Sequence, residues 1–403
     1  MTRETKARFM RLLELTEGQP SSPVQLTEDE ARALSECELG VVSRGPGAQA
    51  WDVQAGRKVG VARIGDLQVV VRPKIPIVRL VFMMSYARRP RFWRDRPVLV
   101  DVESDLVEAL AEALCREAST ALEQGLMHGY TSVADALPLV RGRIRVAEQI
   151  SRRFGRMLPV EVSYDDFTVD IAENQLLLSA ALRLLRAEKL RPKTRHALQR
   201  LRLQLTGVTP IGRGTPVPRW QPSRLNTRYQ PALQLAEVIL AGDSFEQRVG
   251  SLQVSGFVFD MWRIFEDFVC GALKEAMAGK GRARLQHQMN LDRDQKVQLK
   301  PDFLWTSSVG QQVVVDAKYK AEKPEGFPNA DLYQLLAYCT VLGLPQGHLV
   351  YAQGNDQPAV YEVVGANVTI RAHTLNLTLT PDLLLAQVQA LADELLSTSA
   401  SGA

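Results

Sequence analysis

The chain has 403 residues, of which 45% are hydrophobic and 6% aromatic, and its formal net charge is +4 at pH 7. This length predicts two or three domains with buried cores, and the Leu-, Ala- and Arg-rich segments favour a mixed α/β protein over an all-β one. Because so small a net charge does not by itself indicate nucleic-acid binding, local clusters of charge carry more weight.

The first hundred residues predict a mixed, β-rich module. Thr27 is a candidate helix N-cap with Glu30 in the capping-box position. Lys58–Val71 alternates as two strands joined by a tight turn, and Pro73 and Pro76 then predict an edge or a loop. Basic residues follow around two aromatic ones, a pattern that indicates contact with DNA or a partner protein, or else a solvated basic loop: Arg88, Arg89, Arg91, Phe92, Trp93, Arg94 and Arg96.

The middle of the chain, residues 101–240, predicts mainly helices. Ser104–Gln124 has a regular apolar stripe with Ser104 as N-cap, and Leu182–Leu205 is a Leu-rich basic helix. Arg141–Arg156 contains six arginines and one glutamate, which indicates phosphate contacts or, equally, a solvated helix surface.

Residues 241–396 are expected to carry the chemistry. Asp243–Gly256 is interpreted as a polar connector, Phe257–Val269 as an amphipathic helix, and Pro381–Leu396 as a closing helix. Residues 397–403 are expected to form a disordered tail.

Two runs of apolar and β-branched residues, Leu299–Trp305 and Gln311–Lys320, predict a β-hairpin. If the turn lies midway between them, Asp302 and Asp316 stand opposite each other with Cβ atoms about 5 Å apart. Lys318 follows Asp316 by two residues and therefore points to the same face.

Charged residues at a strand end are most often solvated surface groups. Asp316, however, follows three valines, and a charge at the end of a buried strand needs a partner or a metal. Carboxylates suit Mg²⁺, which can activate water and stabilise charge on a phosphate. We therefore interpret Asp302, Asp316 and Lys318 as a candidate catalytic cluster.

Helices predicted on either side of the hairpin add further candidates. Glu266 lies beside the apolar face of the upstream helix, where it can lean over the hairpin. Gln334 and Tyr338 are i, i+4 neighbours on the downstream helix. By themselves these residues are ordinary, because a helical Glu is usually solvated and a Gln–Tyr pair is usually incidental.

The order of these residues resembles the motif of the PD-(D/E)XK nuclease superfamily, in the branch with a Gln-x-x-x-Tyr helix. The motif comprises Glu266, Pro301-Asp302, Asp316-Ala317-Lys318 and Gln334-x-x-x-Tyr338. The Asp-Ala-Lys-Tyr-Lys form is similar to the McrC family, the nuclease subunits of McrBC restriction systems. Other McrC-like segments extend the resemblance over roughly residues 55–385: Arg72-Pro73-Lys74-Ile75, Arg141-Gly142-Arg143-Ile144, Asp170–Leu177 and Asn226-Thr227-Arg228-Tyr229.

The resemblance implies an α/β (α+β) chain with an N-terminal β-rich partner-binding module at 1–100 and a helical, Arg-rich middle at 101–240. At 241–396 it implies a PD-(D/E)XK restriction-endonuclease-like domain, with a mixed central sheet flanked by helices. We expect the N-terminal module to dock on the partner and residues 101–403 to fold without it.

The implied function is a Mg²⁺-dependent endodeoxyribonuclease in a 5-methylcytosine-dependent antiviral restriction system, active only in complex. Asp302 and Asp316 would bind metal, Lys318 would position or deprotonate the attacking water, and Glu266 would orient that water or complete the metal shell. Gln334 and Tyr338 would hold the substrate phosphate or brace Lys318. The partner would be a McrB-like AAA+ GTPase acting on methylated double-stranded DNA.

Two other functions are compatible with the sequence. In the first, the chain is a non-catalytic adaptor that binds DNA or the motor ring. In the second, it is a stand-alone DNA-repair nuclease. The intact Asp, Asp and Lys set argues against the adaptor.

Several classes of site are excluded by the sequence. The chain lacks a Gly-x-x-x-x-Gly-Lys-Ser/Thr motif, so GTP would enter only through the partner. The four cysteines include no Cys-x-x-Cys pair, which argues against a zinc ribbon, and the five histidines are scattered. No apolar run reaches membrane-spanning length and the N-terminus does not resemble a signal peptide, so we expect a cytoplasmic protein.

Overall fold

The computed structural model of the chain describes residues 11–47, 49–88, 106–187, 190–212, 215–249, 252–321, 329–353 and 359–400. These residues form two compact units. The first unit combines residues 1–106 with residues 242–403, and the second comprises residues 107–241. The unit boundaries lie close to the predicted limits at 100 and 240, but the N-terminal segment belongs with the C-terminal one.

The helices and strands are numbered in chain order over the described residues. Strands β1–β19 are Arg11–Thr16, Ser22–Gln25, Gly40–Arg44, Ala50–Ala55, Lys58–Ile64, Leu67–Arg72, Gly129–Leu137, Arg143–Ile144, Val160–Thr168, Asp243–Val249, Leu252–Asp260, Gly281–Leu285, Met289–Asn290, Gln298–Leu299, Phe303–Ser307, Gln312–Ala321, Gln346–Gln353, Ala359–Val363 and Val368–Thr374. Helices α1–α10 are Glu28–Glu36, Ile77–Arg88, Leu106–Leu122, Val146–Arg153, Ala172–Leu185, Pro192–Gln204, Gln230–Ala241, Met261–Ala276, Asn329–Leu342 and Pro381–Ala400.

The first sheet of the larger unit joins three strands of the N-terminal segment to β10 and β11, in the order β1-β6-β5-β11-β10. Strand β11 pairs antiparallel with β5, so that Val61 lies opposite Phe257 and Val59 opposite Phe259. Gly60 has a φ of 136°, and a Cβ atom there would lie 2.3 Å from the Phe257 carbonyl oxygen, so this close approach requires glycine. The predicted polar connector is therefore a pair of strands, and the N-terminal segment is not a separate module.

Helix α2 packs against α8 beside this sheet. Phe82 and Tyr86 of α2 place their ring centroids 5.6 and 5.8 Å from that of Phe268 in α8. The prolines before α2 predicted an edge or a loop, but Pro76 stands just outside a helix, and its carbonyl accepts hydrogen bonds from the N–H groups of Arg79 and Leu80 in the first turn. Helix α8 begins at Met261 rather than at the predicted position four residues earlier, because those residues complete β11.

A smaller sheet with the order β2-β4-β3 and helix α1 complete the N-terminal part of this unit. The predicted capping box of α1 is confirmed, since Thr27 Oγ1 accepts from the Glu30 backbone N–H and the Glu30 carboxylate accepts from that of Thr27. The predicted cluster around Phe92 and Trp93 lies outside the described residues, as does the predicted N-cap Ser104.

The second sheet of this unit is mixed and has the order β12-β15-β16-β17-β19-β18. The β16–β17 and β17–β19 pairs are parallel, and the other pairs are antiparallel. Helix α9 packs on one face, where Leu335 and Cys339 join a buried cluster with Leu304, Val314 and Leu349. Residues of β16 alternate between faces, and α8 contacts the other face through Phe265 and Tyr319.

The end of the chain differs from its prediction. Helix α10 continues to Ala400, beyond the predicted end at Leu396, so residues 397–400 are helical rather than part of a disordered tail. Strand β19 lies between β17 and β18.

The second unit contains a sheet as well as helices. Its stripe on α3 is buried as predicted, including Leu110, Leu114 and Ala118. Strands β7 and β9 pair antiparallel over nine residues and β8 adds at one side, so the prediction of a mainly helical middle is wrong for this part. The predicted helix Leu182–Leu205 is divided into α5 and α6, with Pro192 at the start of α6.

Candidate active site

The hairpin of β15 and β16 brings two carboxyl groups together at its open end. The strands pair antiparallel with Phe303 opposite Val315, and Asp302 directly precedes β15, so the same register sets Asp302 against Asp316. Asp302 Oδ2 accepts a hydrogen bond of 2.8 Å from the backbone N–H of Ala317. This is the arrangement expected from the sequence.

Both carboxyl groups lie in a strongly desolvated environment. Asp316 is 1% exposed, and burial raises its pKa although the Lys318 ammonium opposes that shift. Burial also raises the pKa of Asp302, and the charges of Asp316 and Glu266 raise it further. The site therefore holds more negative charge than it stabilises by itself, and a bound cation would relieve the repulsion.

Lys318 supplies the positive charge of the site. Its Nζ lies 2.6 Å from Asp316 Oδ2 and donates a hydrogen bond of 2.9 Å to Gln334 Oε1. Burial lowers the pKa of Lys318, but attraction to Asp316, Asp302 and Asp331 outweighs it and raises the pKa above the ordinary value. The side chain therefore remains an ammonium at neutral pH.

Helix α9 extends this contact into a hydrogen-bonded chain. Gln334 Nε2 donates to the Tyr338 hydroxyl at 2.7 Å, and that hydroxyl donates to the Lys300 carbonyl oxygen at 3.3 Å. Tyr338 is only 2% exposed, whereas Gln334 lies at the surface. Of the two roles expected for this pair, the contacts match the bracing of Lys318, and only Gln334 is accessible to a substrate.

Glu266 approaches the carboxyl pair from α8. The side chain is 5% exposed, and Oε1 accepts a hydrogen bond of 2.6 Å from Gln286 Nε2. Its charge contributes to the raised pKa of Asp302. All six residues selected from the sequence thus lie around one site, although they come from four separate segments.

Asp331, at the start of α9, was not among the predicted site residues. It is 4% exposed and accepts a hydrogen bond of 3.1 Å from the Tyr351 hydroxyl. It also helps to raise the pKa of Lys318. The only signal in the sequence was its position three residues before Gln334 on the same predicted helix.

The face of β16 opposite Lys318 is held by the N-terminal segment. Tyr319 donates a hydrogen bond of 3.0 Å from its hydroxyl to Glu17 Oε2, and the Lys74 ammonium lies 4.7 Å from the centre of its ring. The Lys74 backbone N–H donates to the same oxygen of Glu17 at 3.3 Å. These contacts fix the strand immediately after Lys318, where its regular pairing with β17 shifts.

Comparison with protein-family models identifies the family of the chain. The model described as McrBC 5-methylcytosine restriction system component matches residues 53–352. The chain belongs to this family. Within the McrBC family, the fold is similar to a chain in the refined half-complex of a tetradecameric assembly of Thermococcus gammatolerans McrB AAA+ hexamers with bound McrC. That match has a TM-score of 0.54 and 16% identity and covers 95% of this chain and 99% of the other.

A second similar chain comes from the cryo-EM structure of the Thermococcus gammatolerans McrBC complex, with a TM-score of 0.36 and 19% identity. It covers 66% of this chain and 88% of that one. Comparison with curated proteins gives no significant match.

The residues of the site fit the Mg²⁺ that the family resemblance implies. Among the described residues, no group of three or more His, Cys, Asp and Glu side chains has the geometry of a complete metal cage. Mg²⁺ usually needs only one or two carboxylates together with waters and substrate phosphate. The desolvated pair Asp302 and Asp316, with Glu266 beside them, provides that donor set.

The arginines of the middle unit are largely committed to neighbours within it. Arg141 pairs with Asp166 at 2.8 Å, and Arg153 pairs with the buried Glu161 at 3.1 Å. Arg145 also pairs with Glu148. This pairing weakens the interpretation of the Arg-rich segment as a phosphate-binding surface.

Among the helices that the structure describes, none is both long enough and apolar enough to cross a membrane.

Proposed function

We propose that this chain is the Mg²⁺-dependent DNA endonuclease subunit of a 5-methylcytosine-dependent restriction system, with a PD-(D/E)XK nuclease domain in its larger unit. The observation that carries the proposal is the buried cluster of Asp302, Asp316 and Lys318. The mixed sheet with α9 on one face and α8 on the other supports the same domain type. Family membership supports the restriction system.

In the proposed site, Asp302 and Asp316 would hold the metal. Mg²⁺ there would stabilise negative charge on the phosphate and lower the pKa of water. The hydrogen bond from the Ala317 N–H orients Asp302, and Glu266 extends the acidic surface on the α8 side. The two aspartates therefore define where the scissile phosphate binds.

Lys318 acts as a fixed positive charge beside that phosphate. Because its pKa is raised, its ammonium stabilises the charge that develops on the phosphate and orients the attacking water rather than accepting its proton. Gln334 positions the ammonium, and Tyr338 fixes Gln334. Since such preorganised charges are among the largest contributions to catalysis, their loss should cost orders of magnitude in rate.

The test is Lys318→Gln in the full chain, with the partner GTPase, GTP and Mg²⁺, on methylated DNA. We expect the cleavage rate to fall by about a hundredfold or more, with DNA affinity changed much less. The matched control is Lys274→Gln, an exposed lysine on α8, which should cleave as the wild type does. Normal cleavage by Lys318→Gln would remove Lys318 from the active site.

The adaptor alternative predicts a different result for the Lys318→Gln and Lys274→Gln variants. An adaptor would show no Mg²⁺-dependent cleavage in any complex, and Lys318→Gln would then have no rate to lower. The chain alone should show little GTP hydrolysis, because it lacks a P-loop. It should also show little cleavage, because the resemblance to McrC implies activity only in the complex.

We further propose that the chain binds a McrB-like AAA+ GTPase, and that the second unit provides the docking surface. The N-terminal segment, expected to dock, shares its sheet with β10 and β11. The second unit exposes large apolar side chains instead, including Phe154 (87% exposed), Met157 (89%) and Leu139 (66%). Exposed apolar residues mark protein interfaces when they form a patch, and these three belong to a run of eight exposed large apolar residues between positions 139 and 158.

Phe154→Asp tests this docking surface. Stimulation of the partner's GTPase should fall at least tenfold, while Val364→Asp, at a 99% exposed position in the larger unit, should leave it unchanged. The triple variant Phe154→Asp/Met157→Asp/Leu139→Asp extends the test. If it stimulates the GTPase as the wild type does, the docking surface lies on the larger unit.

A further inference from the structure

Strand β12, at the edge of the second sheet, carries two arginines on the face that also carries Asp316 and Lys318. Arg284 lies opposite Leu304 in β15, and Leu304 lies opposite Val314 in β16. Directly opposed residues of antiparallel strands project from the same face, and residues alternate along each strand. Arg284 therefore shares a face with Val314 and, two residues further along β16, with Asp316.

The register also sets the distances along this face. With strands about 4.8 Å apart and about 3.4 Å per residue, the backbone of Arg284 lies about 12 Å from that of Asp316. Arg282 is one step further, at about 17 Å. Both distances are shorter than one turn of duplex DNA, about 34 Å, so a duplex with its scissile phosphate at the aspartates can also cross the edge strand.

Both arginines are exposed, and neither has an ion-pair partner among the residues that the structure describes. Some surface arginines of the same unit are paired, such as Arg44 with Glu28 at 2.6 Å and Arg11 with Glu30 at 3.0 Å. Two uncompensated guanidinium groups thus extend the site from its acidic centre towards the open edge of the sheet.

We propose that Arg282 and Arg284 form a phosphate-binding track that holds the DNA backbone beside the scissile phosphate. This inference rests on the proposed nuclease function. Guanidinium groups are always charged and bind phosphate oxygens in a bidentate manner. Such contacts position the backbone without reading its sequence, so the track contributes affinity and orientation while methylation is recognised elsewhere.

The experiment measures DNA binding by the full chain with a fluorescent duplex over a series of salt concentrations. Each phosphate contact adds about 0.9 to the slope of log affinity against log salt. Arg282→Ala/Arg284→Ala should therefore weaken binding about tenfold near physiological salt and reduce the slope by about 2. Arg282→Lys/Arg284→Lys should retain the slope, and Arg32→Ala, an exposed arginine on α1, should change neither quantity.

An unchanged affinity and salt slope in the double alanine variant would overturn the track. Loss of GTPase stimulation with unchanged DNA binding would also overturn it, since the arginines would then bind an acidic protein surface. Failure of the nuclease proposal is seen separately: wild-type complex that binds DNA with this salt dependence but never cleaves it would refute the catalytic function and leave the track standing.

Discussion

Replacing Asp302 with Asn should stabilise the protein in the absence of divalent metal, because it removes a carboxyl group whose charged form is disfavoured in the folded state by burial and by the nearby Asp316 and Glu266. Burial, with the charges of Asp316 and Glu266, raises the pKa of Asp302 to about 9, whereas an unfolded Asp has a pKa of about 3.9. The Asn oxygen can still accept the hydrogen bond that the Ala317 N–H donates to the wild-type side chain.

The direction and size of the effect follow from this difference. Because the folded pKa lies above the unfolded one, the wild-type protein loses stability as pH rises through about 4 and continues to lose it up to about 9. The three pH units between pH 4 and pH 7 correspond to a loss of about 4 kcal/mol of stability. Partial solvent access to Asp302 reduces this expected loss to about 2–4 kcal/mol. At pH 4 the variant and the wild type should be nearly equal in stability.

Urea unfolding in EDTA at pH 4 and pH 7 measures this gain, and repeating it with Mg²⁺ measures metal binding. Mg²⁺ should stabilise the wild type and have little effect on Asp302→Asn. Asp294→Asn is the control, since Asp294 is 71% exposed and pairs with Lys296. If Asp302→Asn is less stable than the wild type at pH 7 in EDTA, Asp302 is held as a favourable carboxylate and the repulsion argument is refuted.

Three further predictions concern the fold around the site. Burial and the neighbouring His373 lower the pKa of His348 to about 3. Since the pKa of an unfolded His is about 6.5, the stability of the protein should fall by about 2 kcal/mol between pH 7 and pH 5. His348→Asn should reduce that loss, as measured by urea unfolding. Tyr319→Phe should cost about 1–3 kcal/mol in the same assay because it removes the hydroxyl donor from Glu17, whereas exposed Tyr333→Phe should cost nothing measurable. Deleting residues 1–100 should abolish cooperative thermal unfolding by circular dichroism, because β11 loses its partner β5; a folded truncation would contradict this.

The candidate site was predictable where its geometry is local. The valines before Asp316 and the short turn determine the hairpin register, which in turn sets Asp302 against Asp316. The i, i+4 spacing places Gln334 and Tyr338 on one side of α9. The family pattern added Glu266, whose approach from α8 the hairpin alone does not specify.

The remaining features depend on contacts between distant segments, which periodicity does not report. Strand β11 pairs with β5, almost two hundred residues earlier, so its sequence alone resembled a connector. Asp331 belongs to the site because Tyr351, from another strand, binds it. Tyr319 is fixed by Glu17 from the opposite end of the chain.

Cleavage of methylated DNA by Asp316→Asn tests the central claim most directly. The variant keeps the size of the side chain but removes the charge expected to hold the metal. In the complete complex with GTP and Mg²⁺, the rate should fall by about a thousandfold or more, while DNA binding and GTPase stimulation remain. Cleavage at the wild-type rate would contradict the assignment of this site as the nuclease centre.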